Sequence, residues 1–143
     1  MQINKLVINN FGIYYGRNEF SFGQKNGRNN IILIGGENGS GKTTFLSAIK
    51  LAIYGPLFLG YKSVNAKYMD YIKDKINLYA IAEGTNEASI EIQFTIRNHG
   101  EPEHYKIIRQ WKLFNESIKE NAQIFKGDLI LNERETEEFY HFL

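Results

Sequence analysis

The 143-residue sequence contains no cysteine and only two prolines, and its 17 basic and 16 acidic side chains leave a formal net charge of +1. Without cysteine the chain can form neither a disulfide nor a thiolate metal site, which fits a reducing compartment. A near-neutral balance gives no global attraction to nucleic acid or to a membrane surface, although a local basic face is still open to it. Long hydrophobic runs are also missing. The most apolar longer stretch, 45–60, is interrupted by Lys50, Gly55 and Pro56 and is too short to span a bilayer. The N-terminal MQINKLVINN lacks the apolar segment of a signal peptide. The expectation is a soluble, cytoplasmic protein with no membrane partner. No repeat, low-complexity tract or linker is visible, so residues 1–143 read as one unit. An apolar share of 43% and an aromatic share of 14% mark a chain that folds, and its length suffices for a core.

Hydrophobic periodicity outlines the elements. KLVINNF and NEFSF alternate as strands, joined through GIYYGR with Gly12 and Gly16 as turn residues, so a hairpin is expected. QKNGRNN is a polar turn around Asn26 and Gly27. The NIILI run at 30–34 is apolar on both faces, as in a strand buried on both sides of a sheet. From Thr43 to Tyr54 the period becomes helical, with Phe45, Leu46, Ile49, Ala52 and Ile53 on a face. Gly55 sits where a helix ends and Pro56 prevents continuation. An irregular connection follows, then a second helix over 65–78. Ala88, Ile90, Ile92, Phe94 and Ile96 alternate with polar residues, and Tyr105, Ile107, Arg109 and Trp111 supply an antiparallel partner, giving a sheet over 88–113. NAQIFKGDLILN reads as a further hairpin about Gly127 and Asp128. Asn132 can N-cap a closing helix whose first turn is acidic.

The chemistry concentrates at Gly36-Glu37-Asn38-Gly39-Ser40-Gly41-Lys42-Thr43, which matches G-x-x-x-x-G-K-[ST] between an expected strand and an expected helix. Glycines are unfavourable to fix in place, so a cluster of them needs a reason. Here they let the backbone curl until the N–H groups of residues 38–43 converge on phosphate oxygens, with the positive end of the helix behind them. Lys42 can bridge β- and γ-phosphates as a compact charge. The Thr43 hydroxyl is the expected ligand of Mg²⁺, and the Thr44 hydroxyl can reach an α-phosphate. The cofactor-binding set is therefore Gly36, Asn38, Gly39, Ser40, Gly41, Lys42, Thr43 and Thr44, with Thr43 on the metal.

Hydrolysis needs more than this: a carboxylate and a water-positioning group, usually at the end of another buried strand. GDLILNE comes closest, but its Gly127–Asp128 turn argues for a hairpin strand and not for a catalytic Glu133. No residue of the chain is assigned a catalytic role. Lys25, Arg28 and Arg17 cluster about the first hairpin, either near a nucleotide or as a solvated turn. His99 and His104 beside Glu101 and Glu103 are read as solvated turn residues in preference to a metal site.

The stretches INKLVINNFGIYYGRNEFSF and IILIGGENGSGKTTFLSAIKLAIYG resemble the N-terminal half of SMC-like ATPase heads, which serve chromosome condensation and double-strand-break repair. Phe11-Gly12, the Gly-Gly-x-Asn-Gly-x-Gly-Lys-Thr-Thr loop, the Tyr54-Gly55 close and YKIIRQW at 105–111 are most similar to the DndD family of DNA phosphorothioate modification. The resemblance implies an α/β P-loop NTPase of the ABC/SMC head type, its N-terminal lobe a mixed sheet with an antiparallel β-subdomain. It implies ATP and Mg²⁺ as cofactors. It implies as partners a C-terminal lobe of the same chain, a second head that sandwiches ATP as a homodimer, DNA, and other DNA-modification proteins. In such heads a coiled coil separates the lobes, and the second lobe brings the signature and Walker B motifs. The 143 residues contain neither, so nucleotide binding without efficient hydrolysis is expected of them. Two other readings compete: an interaction module with a vestigial loop, and a complete small kinase, for which no arginine-rich lid is visible.

Overall fold

The structure, a computed structural model, describes residues 1–23 and 31–143. Six strands, β1 (Gln2–Phe11), β2 (Tyr14–Ser21), β3 (Glu87–Asn98), β4 (Glu101–Phe114), β5 (Ser117–Lys126) and β6 (Leu129–Ile130), form one sheet in the order β2-β1-β3-β4-β5-β6. Every pairing is antiparallel. Helices α1 (Lys42–Tyr54), α2 (Ala66–Lys75), α3 (Leu78–Ala82) and α4 (Glu133–Phe142), with a 3-10 turn over Gly55–Leu59, are the other elements among the described residues.

Alternation places Ala88, Ile90, Ile92, Phe94 and Ile96 of β3 beside Tyr105, Ile107, Arg109 and Trp111 of β4 on one face, all buried. Helices α1, α2 and α4 cover that face through Phe45, Ala48, Leu51, Tyr68, Ile72 and Phe139. The other face carries polar pairs such as Lys5–Glu19 and Lys112–Glu87. β1 changes parity on the way. Asn10 adopts φ 50°, and the register with β2 shifts between Asn9 and Phe11. This bulge puts Phe11 on the same face as Leu6 and Ile8, where it packs on Trp111 with ring centroids 5.7 Å apart. Asparagine tolerates the left-handed backbone, and its side chain fixes the bend by accepting from the Gly16 N–H at 2.8 Å.

Three expectations change. The hairpin turn lies at Gly12 and Ile13, and Gly16 belongs to β2. The helix expected over 65–78 is two: α2 is N-capped by Asn65 and ends at Lys75, Ile76 pairs with Phe11, and Asn77 caps α3 through its bonds to the Tyr79 and Ala80 amides. Asn77 explains the break, because its side chain satisfies a new helix start in place of continuing the old one. Among the described residues neither the strand expected at 30–34 nor the mixed sheet is found. Residues 31–34 enter no ladder among the described residues, so the sheet is antiparallel throughout. The Asn26–Gly27 turn, Lys25, Arg28 and Asn30 lie outside the described residues. The 88–113 sheet, the Gly127–Asp128 hairpin and the Asn132 cap, the last as a full capping box with Glu135, are present.

The glycine loop and its neighbours

The loop is solvent-exposed from Gly35 to Ser40 and leads directly into α1. Its N-cap, Gly41, has φ 90°, makes no side-chain capping bond, and is followed by a first turn without acidic residues. The first intrahelical bond runs from the Phe45 N–H to the Gly41 carbonyl at 2.8 Å. The amides of Lys42, Thr43 and Thr44 precede it and have no helical partner, which is the ordinary anion-attracting state of a helix start. An aspartate or serine cap would have filled this place in most helices; its absence suits a bound phosphate.

Two of the glycines also have side chains close by. A Cβ on Gly36 would stand 2.5 Å from the Ser40 hydroxyl oxygen, and one on Gly41 would collide with Ile13 of the hairpin turn. Lys42 folds across the loop and donates to the carbonyls of Gly36 and Glu37, both at 2.6 Å, with Ser40 Oγ at 3.5 Å. Its ammonium thus sits inside the curve of the loop. Thr43 is exposed and Thr44 half-buried. The eight residues expected from the sequence therefore form one exposed cradle at the start of α1.

One contact was missed. The β1–β2 turn sits on the start of α1: a Cβ on Gly12 would meet Thr44 Cγ2 at 2.5 Å, and the Tyr14 hydroxyl donates to the Gly41 carbonyl at 3.3 Å. Burial raises the pKa of the Tyr14 hydroxyl, so it is held as a neutral donor. In the sequence Gly12 reads as a turn residue and Phe11-Gly12 as a family likeness; the close approach across some 30 residues is a further physical reason for the glycine. The turn is itself braced by Gly12 N–H to the Lys75 carbonyl at 2.6 Å and by Asn77 Nδ2 to the Gly12 carbonyl at 2.8 Å.

The other candidates stay apart from the cradle. Arg17 pairs with Glu19 on the exposed edge strand. Glu133 opens α4 and is exposed. His104 Nδ1 shares a hydrogen bond with Thr95 at 2.9 Å, and no group of three metal-ligating side chains exists among the described residues. Cavities of about 320 and 280 Å³ lie near the far end of β3 and β4 and are not lined by the loop.

A glycine loop feeding an uncapped helix that packs on a sheet defines a P-loop domain of α/β class. The sequence matches a family described as an AAA domain over residues 5–141, and the chain belongs to it. It is also 31% identical over 129 residues to the DNA double-strand break repair Rad50 ATPase of Nanoarchaeum equitans (strain Kin4-M), an alignment covering 90% of this chain and 12% of that protein. The chain thus spans about an eighth of the relative's length. No helix among the described residues is long and apolar enough to cross a membrane.

Proposed function

We propose that the chain is the ATP-binding lobe of an SMC-like ATPase working in DNA metabolism. The observation that carries this reading is the cradle itself, with amides at Lys42, Thr43 and Thr44 that have no helical partner and the Lys42 ammonium turned into the loop. In it the loop amides and Lys42 hold the phosphates, Thr44 supports the α-phosphate, and Thr43 holds Mg²⁺. The metal, when bound, neutralises phosphate charge.

A second observation bears on the partners. Ile31 and Leu33 are 88% and 94% exposed, Ile32 and Leu46 are half-exposed, and α1 is apolar around most of its circumference. Such residues ordinarily lie under other structure. This supports a C-terminal lobe that pairs with 31–34 and brings the catalytic groups, with ATP then held between two heads. Binding without efficient turnover is the property proposed for these 143 residues, and a complete ATPase that of a longer parent. DNA is the proposed polymer partner. Within DNA metabolism, double-strand-break repair is favoured by the name of the related ATPase, while phosphorothioate modification rests on the motif likeness alone.

Calorimetric titration with ATP and Mg²⁺ tests the reading. Binding by the wild-type chain, lost in Lys42→Ala with an unchanged melting temperature, is the expected result. No heat for the wild type at millimolar nucleotide would leave the loop a vestige in an interaction module. Steady phosphoryl transfer by the chain alone would instead favour a complete kinase.

A further inference from the structure

Helix α1 holds the loop at one end; its other end is held by an unusual contact. The Ala52 carbonyl, in the last turn, would ordinarily accept the N–H of residue 56, but that residue is Pro56 and has none. Arg109, from the middle of β4, takes its place: Nε donates to the Ala52 carbonyl at 2.9 Å. The same guanidinium donates to Glu120 of β5 at 2.6 Å and to the Tyr140 hydroxyl of α4 at 2.8 Å. Gly55, the C-cap of α1, lies against its face, and a Cβ there would stand 2.6 Å from Cζ. The Arg109 and Glu120 side chains are each 6% exposed.

A buried ion pair of this kind is a weak source of stability, since well-packed apolar residues of the same volume often do as well. What the planar fork supplies is direction, one donor each to α1, β5 and α4. The surroundings are polar too: Glu120 Oε2, Trp111 Nε1 and the Tyr68 hydroxyl are buried without a hydrogen-bond partner, and Trp111 faces Glu120 across the strands. The lever is long. At 1.5 Å per residue, 13 residues extend about 18 Å, so a tilt of about 5° at Gly55 moves the first turn by about 1.6 Å. Misplacement on the order of 1 Å is enough to spoil a positioned site.

We propose that Arg109 is a positioning residue for the nucleotide, acting through α1 from its C-terminal end and making the loop's orientation depend on α4 through Tyr140. The proposal rests on the nucleotide reading of the loop.

The test compares Arg109→Lys, Tyr140→Phe and, as a control of general destabilisation, Ile96→Ala at the far end of β3. Each chain is titrated with ATP and Mg²⁺, and hydrogen exchange is followed at the Phe45 and Leu46 amides, the first protected ones of α1. Arg109→Lys keeps the charge and loses the fork; it should raise Kd about tenfold or more and speed exchange at both amides. Tyr140→Phe should raise Kd about two- to threefold, in proportion to one lost contact of three. Ile96→Ala should lower the melting temperature and leave Kd within about twofold. An unchanged Kd in a folded Arg109→Lys, or an equal loss in Ile96→Ala, overturns the proposal. If Arg109→Lys does not fold, Tyr140→Phe decides by the same measurements. If the wild type binds no nucleotide, the ATP reading fails, and the exchange data alone decide whether Arg109 fixes the start of α1.

Discussion

Gly12→Ala is the sharpest perturbation of the contact between hairpin and cradle. Gly12 has φ 58°, and an added methyl would stand 2.5 Å from Thr44 Cγ2. The left-handed backbone costs an alanine about 1–2 kcal/mol. The overlap adds the usual penalty of overpacking, about 1–3 kcal/mol, because neither side can yield cheaply. The backbone is tied to the Lys75 carbonyl and to Asn77, and a β-branched threonine on a helix has few rotamers to retreat to. The sum, about 2–5 kcal/mol, is a large part of the 5–15 kcal/mol that holds an ordinary domain together. Gly16→Ala isolates the two components: φ is 64° there, but no heavy atom lies within 4 Å of the added carbon. It should show the backbone cost alone. Any gain from a stiffer unfolded chain is common to both and cancels. Urea midpoints at constant m-value should therefore separate the two variants by about 1–3 kcal/mol. Thr44→Ser removes the colliding methyl and keeps the hydroxyl, so adding it to Gly12→Ala should restore most of that difference, as a double-mutant cycle reads. Equal midpoints for the two alanine variants would refute the claim that hairpin and helix are in steric register.

Other outcomes follow from the same geometry. Phe139 anchors α4, with its ring 5.1 Å from Tyr105 and 6.2 Å from Phe94; Phe139→Ala should cost about 3–5 kcal/mol, with exchange protection lost first along α4. The Glu103 carboxyl is held below its ordinary 4.5 by hydrogen bonds from Lys126 and then Tyr105. Its contribution is present at neutral pH and disappears as the pH falls through the carboxylate range, so the stability difference between wild type and Glu103→Gln should shrink on acidification, in urea midpoints, and not grow. Burial first, and then the Glu120 charge, raise the pKa of the Tyr68 hydroxyl far above its ordinary 10.0. The unfolded chain then ionises before the folded one. Stability should fall as pH rises past about 10, and Tyr68→Phe should flatten that decline in guanidinium midpoints.

The readable part of the molecule was the part whose signals are local. The period-two runs of β3 and β4 carry their own evidence of a face, and they pair residue for residue from Glu87↔Lys112 to Asn98↔Glu101. The Asn132 cap and the glycine loop are likewise self-contained patterns. What escaped was decided at a distance. Asn77 splits the second helix because it closes on Gly12 and receives the β1 turn, a contact spanning 65 residues. Arg109 sat on the buried face of a strand where alternation alone would put an aliphatic residue; its partners Ala52, Glu120 and Tyr140 come from three other elements. The 31–34 run shows a different failure. Its composition describes an environment apolar on both faces, and the described residues do not supply one.

That mismatch can be weighed. Residues 31–34 and Leu46 together leave about three side chains' worth of aliphatic surface in water, and burying it would release roughly 5–10 kcal/mol at about 1.5–3 kcal/mol per side chain. A separate partner would first have to overcome about 4–15 kcal/mol of lost translational and rotational freedom. The surface is thus marginal for recruiting an independent protein from dilute solution. A segment tethered to the same chain meets it at an effective concentration in the millimolar range, and most of that entropic penalty is avoided. On this reckoning the covering lobe of the proposed reading is better held in cis than recruited in trans.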